Sequence, residues 1–101
     1  MEVNGYPIEP GADLTDADLT YANLTDANLT DASLIGAKLT NAKLTHANLT
    51  GAKLTYANLT GADLTGANLT GANLTNALLT GADLGDTKWN ESTIDPYGWL
   101  K

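Results

Sequence analysis

The chain contains no cysteine, no phenylalanine and no arginine. Without cysteine there is no disulfide, no thiolate nucleophile and no Cys-ligated metal, and nothing marks a redox compartment. Only six residues are aromatic and three are proline, so a core of mixed large side chains is excluded. The apolar content is mostly Leu and Ala. No apolar run approaches the roughly 18 residues of a membrane-spanning helix. The opening Met1-Glu2-Val3-Asn4-Gly5 has neither a basic nor an apolar stretch, so no signal peptide is expected and the cytoplasm is the default compartment. All five cations are lysines (Lys38, Lys43, Lys53, Lys88 and Lys101), set against twelve acids for a net charge of −7. That balance argues against a nucleic-acid footprint.

What the chain does have is repetition, within a length suited to one domain. From Ala12 to Leu84 it states one five-residue unit fifteen times without a slip. Leu stands at every fifth position from Leu14 to Leu84, with Ala two places before each and Thr after each except at Ile35 and Gly85. On an α-helix, successive Leu residues would advance by about 500° and smear around the axis. On a flat strand they would alternate between faces. A coil that turns a corner every five residues brings every Leu inside, and fixed-period self-similarity is the mark of a solenoid.

The residue two places after each Leu supports those corners. Thirteen of the fifteen are Gly, Asn, Asp or His, the residues most tolerant of positive φ, as the third position of a type II turn demands. Tyr21 and Tyr56 break the rule, and a different, more extended corner is expected there.

Units such as Ala62-Asp63-Leu64-Thr65-Gly66 resemble the pentapeptide-repeat family, and the resemblance runs through residues 12–86 without a gap. It implies an all-β fold, a right-handed quadrilateral β-helix (a β-solenoid) of about four coils, each made of four pentapeptides. The family's central inward residue falls on Leu14 through Leu84 and its small inward residue on Ala12 through Ala82. With about 4.8 Å between coils, the body is expected to be a rod of roughly 20 Å.

Stacking at twenty residues defines columns. They run Leu14-Leu34-Leu54-Leu74-Ile94, Leu19-Leu39-Leu59-Leu79-Trp99, Leu24-Leu44-Leu64-Leu84 and Leu29-Leu49-Leu69-Trp89. Residues 1–11 are expected to form an N-terminal cap, with Ile8 in a Leu position and Gly11 as one added residue. Pro7 and Pro10 should exclude regular backbone pairing there. Residues 87–101 are expected to continue the register as a C-terminal cap closed by Trp89 and Trp99. The Asn28-Asn48-Asn68 and Thr columns suggest side-chain ladders along the rod. Leu49→Ala is expected to cost about 2–5 kcal/mol and Asn48→Lys, as a surface change, under about 0.5 kcal/mol.

Candidate chemistry is thin. Asp13, Asp16, Asp18, Asp26 and Asp31 crowd the first coil with no cation among them, but all hold outward or corner positions where Asp forms turns. No loop offers calcium ligands at alternating positions. The single histidine, His46, holds a corner like its Gly and Asn counterparts. Neither a catalytic residue, a metal ligand nor a cofactor-binding residue is therefore expected, and the partner-binding residues are unknown. Tyr21 and Tyr56 read as surface residues or contact anchors. Ile35 and Leu78 replace polar residues on the exterior. Lys38 lies in a column between Asp18 and Asn58, and Lys43 between Asn23 and Asp63, which suggests charge pairing of about 0–1 kcal/mol each.

Three functional readings follow, none of them enzymatic. The first is a non-catalytic structural or interaction module, a rigid rod presenting flat polar faces to a protein partner. The chain would then be a monomer, or weakly self-associating end to end or face to face. The second, implied by the resemblance, is a DNA mimic that binds DNA gyrase, which some family members are; the lysines within residues 33–53 interrupt the acidic stripe such a mimic needs. The third is an ice- or crystal-binding Thr face, weakened because Asp, Asn or Lys precedes most Leu residues, so no face carries paired Thr rows. Neither nucleic acid nor membrane is an expected partner.

Overall fold

The structure is a computed structural model that describes residues 1–100; Lys101 lies outside the described residues. One pentapeptide shows how the chain turns. Leu14 opens a β-turn, Thr15 and Asp16 fill its middle, and the Ala17 N–H closes it on the Leu14 carbonyl at 3.0 Å. Asp16 has a φ of 59°, the left-handed value that the third position of a type II turn requires. The same closing bond recurs along the body as far as Thr87 on Leu84, at 3.3 Å. A left-handed residue stands two places after every Leu, from Asp16 to Asp86. Tyr21 and Tyr56 are no exception, at φ 60° and 62°, so the wider corner expected for them does not form. The rungs above and below explain why: the Tyr21 N–H bonds the Thr40 carbonyl and the Tyr56 N–H the Thr75 carbonyl, each at 3.0 Å. A more extended corner would break those bonds.

Four corners bring the chain back above its own start. Parallel bridges join Asp13 to Ser33, Asp18 to Lys38, Asn23 to Lys43 and Asn28 to Asn48, and the pattern continues upward to Asn68 and Lys88. Each side of the square touches the next coil over so few residues that no regular strand develops in the body.

Backbone donors are accounted for residue by residue, as burial of a closed coil demands. The Leu N–H points up the rod to the carbonyl before the next Leu, as in Leu14 to Ser33 at 2.7 Å. The corner N–H also points up, as in Asp31 to Thr50 at 2.8 Å. The outward residue before each Leu donates down, as in Ser33 to Ala12 at 2.9 Å, and the Ala N–H closes the turn. That leaves the Thr N–H, which the rungs do not reach. Where Asp or Asn stands two residues earlier, its side chain takes that N–H: Asn48 Oδ1 accepts both the Thr50 N–H at 3.0 Å and the Thr50 hydroxyl at 2.6 Å. Asp13, Asp18, Asn23, Asn28, Asn58, Asp63 and Asn73 do the same for the Thr after their Leu. The Asn columns therefore bond within their own coil and do not form the expected ladders along the rod. A cross-coil link does join the Thr15 and Ser33 hydroxyls at 2.9 Å.

Inside, Leu14 through Leu79 and Ala12 through Ala77 form one continuous buried core with no polar residue in it. Ala is required because its methyl leaves room for the Leu columns to meet at the centre. Ala82 and Leu84 are only partly buried, since the rod ends above them. With both ends included, the molecule measures 34 × 24 × 21 Å.

The N-terminal end is a hairpin of β1 (Glu2–Val3) and β2 (Tyr6–Pro7). Its turn is Asn4-Gly5, with φ 54° and 83°, a pairing that suits the twist of a two-residue hairpin loop. The prolines do not prevent pairing here. Pro7 faces Glu2, and in a two-residue hairpin that pair needs no N–H; the next bond is the Ile8 N–H to the Met1 carbonyl, at 2.8 Å. Ile8 is buried and Tyr6 packs on the core, with the Asp18 N–H donating to the Tyr6 hydroxyl at 3.3 Å. Gly11 is not an added residue. Its φ of 72° and its N–H bond to the Thr30 carbonyl make it the corner one coil below Asp31. Glu9, not Ile8, holds the Leu place in the backbone, closed by the Ala12 N–H at 3.1 Å.

At the other end the register does not continue throughout. Lys88 pairs with Asn68 in step, which puts Trp89 in a Leu position, 44% exposed above the last full side. The next turn, Asn90 to Thr93, starts one residue late. Ile94 therefore pairs with Asn73, twenty-one residues away instead of twenty, and its side chain is 48% exposed and not in the Leu14 column. Thr93 repairs the slip. Its hydroxyl accepts the Gly71 N–H at 3.2 Å and donates to the Leu69 carbonyl at 2.8 Å, standing in for a displaced backbone group. The Asp95 carboxylate then takes the N–H groups of Trp99 and Leu100, which folds both side chains against the core.

Candidate functional site

A square rod offers corners and flat sides, and no cavity indents the surface of the described residues. The crowded first-coil aspartates are dispersed by the coil geometry. Asp16, Asp26 and Asp31 sit at three different corners, while Asp13 and Asp18 lie on adjacent sides with their carboxylates turned to Thr15 and Thr20. Those bonds set their acidity. The Thr15 hydroxyl, then its N–H, holds the Asp13 carboxyl below its ordinary value. Thr20 does the same for Asp18, and the Lys38 charge directly above is the least of the causes. Asp63 is lowered chiefly by the Thr65 hydroxyl and N–H, again with Lys43 last. The lysine columns thus contribute, but hydrogen bonds dominate. Among the described residues no three His, Asp or Glu side chains gather as a metal site. His46 is a left-handed corner whose ring lies over Gly66 in the next coil.

The corners lean upward in the same way elsewhere. Asp16 covers Gly36, Asp31 covers Gly51 and Asn41 covers Gly61, each occupying the space a Cβ would need. Glycine follows those corners for that reason, besides its φ.

Four exposed apolar side chains, Tyr56, Leu78, Ile94 and Tyr97, gather along one ridge. Tyr56 is 64% exposed at the corner above Gly36 and below Asn76. Tyr97 reaches back so that its hydroxyl donates to Asn76 Oδ1 at 2.9 Å, placing a second exposed ring on the same corner. Leu78 and Ile94, both exposed, flank it on the two adjoining sides. Ile35, half-buried, precedes Gly36 lower on the same ridge. Tyr21, 74% exposed, stands at the neighbouring corner near the N-terminal end. Sequence reasoning noted Tyr56, Ile35 and Leu78 separately; the twenty-residue stacking was the signal that could have joined them, and Tyr97 was hidden by the one-residue slip.

The fold and surface together define a four-sided β-solenoid. A family profile described as pentapeptide repeats matches residues 12–51 and 47–86. The chain belongs to the pentapeptide-repeat family, and with it to the right-handed quadrilateral β-helices. Among solved structures, it is similar to a pentapeptide repeat protein of the Arabidopsis thaliana thylakoid lumen. The two share 41% identity over 80% of this chain and 57% of that one, with a TM-score of 0.77. Rfr23 from the cyanobacterium Cyanothece 51142 shares 38% identity over 84% of this chain and 61% of its own, with a TM-score of 0.54. QnrB1, a plasmid-mediated fluoroquinolone resistance protein, shares 26% identity over 79% of this chain and 41% of its own, with a TM-score of 0.63. The chain thus spans about half the length of these structures. A comparison with curated proteins finds no match. No helix among the described residues is long and apolar enough to cross a membrane.

Proposed function

We propose that the chain is a non-catalytic interaction module, a rigid rod that engages a protein partner along its tyrosine-bearing corners. The observation that carries this reading is the state of Tyr21 and Tyr56. A side chain in the left-handed region costs about 1–2 kcal/mol relative to glycine, and both tyrosines sit there with rings exposed to solvent. The fold gains no core packing from rings so exposed. Strained, exposed aromatics of this kind suit contact anchors. Around Tyr56 the corner carries Asn76 above, with Asn58 on one adjoining side, and each adjoining side holds one lysine, Lys38 below Asn58 and Lys53 below Asn73.

Affinity capture with the immobilised chain tests this, using wild type beside Tyr56→Asn. Asn already serves as a corner at Asn41 and Asn76, so the variant keeps the fold. Partners held by wild type and lost by the variant are expected; identical capture by both would overturn the ridge as the contact.

The likeness to QnrB1 keeps a second reading in view, a DNA mimic acting on gyrase. Lys38, Lys43 and Lys53 break the acidic surface on three sides of the rod. A supercoiling assay with the purified chain at micromolar concentration should show no inhibition.

A further inference from the structure

We propose that Asn4–Gly5 is a site of spontaneous covalent modification, at which amide loss and backbone isomerisation remove the N-terminal cap from the rod. The chemistry needs a side-chain amide next to a backbone nitrogen free to attack it. The Gly5 nitrogen bonds to the Asn4 Cγ and gives up its proton to water, and the Asn4 amide nitrogen leaves as ammonia. Water then opens the five-membered imide at either carbonyl. One opening restores the ordinary chain with aspartate; the other leaves it running through the side-chain carboxyl as an isoaspartyl link. The sum is water consumed and ammonia released, with no redox change.

The fold sorts its asparagines sharply by this requirement. In the coils the nitrogen after each Asn is locked: Leu24 N–H to Lys43, Leu49 N–H to Asn68, Leu74 N–H to Ile94. After the corner residues Asn41 and Asn76 the Ala42 and Ala77 N–H groups close their turns on Leu39 and Leu74. The coil Asn side chains are held as well, by the Thr two residues on. In the tail, Asn90 Oδ1 is held by the Ser92 N–H at 3.0 Å, and Glu91 places a side chain beside the nitrogen. Asn4 differs on each point. Both turn residues are exposed, the Gly5 N–H takes no part in the backbone bonds of the described residues, and nothing lies within 4 Å of where a Gly5 Cβ would stand. The strands that hold the turn are two residues each, so the opening that lets Asn4 rotate toward Gly5 is a small local event.

The isoaspartyl product puts one extra methylene into a two-residue turn. The Val3–Tyr6 and Glu2–Pro7 pairing cannot absorb that length. Losing it frees Tyr6 from the Asp18 N–H and Ile8 from the end of the core.

The test follows the whole chain at 37 °C and mildly alkaline pH, with the same chain in urea as an unfolded clock. Peptide mapping is expected to show amide-to-acid conversion at Asn4 in the folded chain, at a rate within tenfold of the unfolded one, with the coil asparagines unchanged. Conversion of the unfolded chain alone would overturn the proposal. Anion exchange separates the product, which has one more negative charge. In the isoaspartyl fraction, hydrogen exchange at Asp18 should approach the unfolded rate while Leu44 and Leu49 stay protected. An Asn4→Asp chain carries the added charge without the methylene and should keep Asp18 protected. Equal protection in all three forms would overturn the loss of the cap.

Discussion

Leu49→Ala probes the central claim about the core. Leu49 is fully buried, with Leu29 below and Leu69 above in its column, and its own N–H is bonded to the Asn68 carbonyl at 2.8 Å. The adjoining Asn48 N–H is tied to Ala27 one coil down, also at 2.8 Å. The wall is therefore fixed from both sides and cannot move inward to fill the space. A cavity that cannot collapse belongs in the upper part of the Leu→Ala range, about 3–5 kcal/mol. With a urea dependence of about 1–3 kcal/mol per molar for a chain of this size, the midpoint should fall by one molar or more. Leu84→Ala is the internal control. Leu84 is only partly buried near the open end, so the same truncation should cost about 1 kcal/mol. Far-UV circular dichroism follows the whole rod, while Trp89 and Trp99 fluorescence reports the C-terminal end alone. Coincident transitions are required before either midpoint is read as a free energy. Equal shifts for Leu49→Ala and Leu84→Ala would refute the reasoning that coil position and wall rigidity set the cost.

Asn48→Lys is expected to cost about 1 kcal/mol, above the figure for an ordinary surface change, because it removes the acceptor of two bonds from Thr50; denaturant midpoints measure it. Leu78→Asn should stabilise by about 0.5–1.5 kcal/mol by giving the Thr80 N–H the partner that Asn58 gives Thr60, seen as slower amide exchange at Thr80. Tyr56→Asn should stabilise by up to about 1 kcal/mol by relieving the left-handed corner, again by denaturant midpoint. Asp13, Asp18 and Asp63 have pKa values held below the ordinary one, so their contribution is present above the ordinary carboxylate value near 3.8 and is lost as pH falls through their folded values. Asp63→Asn keeps an acceptor for Thr65, and a flatter acid limb of stability against pH checks the assignment.

The inward columns were legible because only period and size decide them: every fifth residue must be Leu and its small neighbour Ala for a closed coil to pack. The Gly, Asn and Asp corners were legible from intrinsic preference. Tyr21 and Tyr56 were not, since rung bonds impose their conformation against preference. The role of the Asp and Asn before each Leu was obscured by reading the Asp as turn formers and the Asn column as a ladder along the rod, when the Thr N–H that the rungs miss was the clue. Asn4-Gly5 between Val3 and Tyr6 was a hairpin signal in plain view, outweighed by attention to the prolines. The slip before Ile94 had no warning in a tail without the Ala-x-Leu unit. As for the ridge, it is a property of stacking and became visible only when columns were extended beyond Leu to the outer residues.

The upward and downward rungs of each unit are interchangeable with those of any other, which makes the rod indifferent to how many units it holds. Its surface is not indifferent. Inserting or deleting one pentapeptide would leave the core and the bonds intact while rotating everything above it by a quarter turn. Losing five residues between Gly36 and Tyr56 would move Tyr56, Asn76 and Tyr97 together to the next corner, away from Ile35 and Asp16. Only a change of twenty residues preserves the alignment of lower and upper surfaces. Length in this chain therefore works as an angular address, and a lineage that gains or loses repeats redesigns its surface while each core column is still built from Leu and Ala.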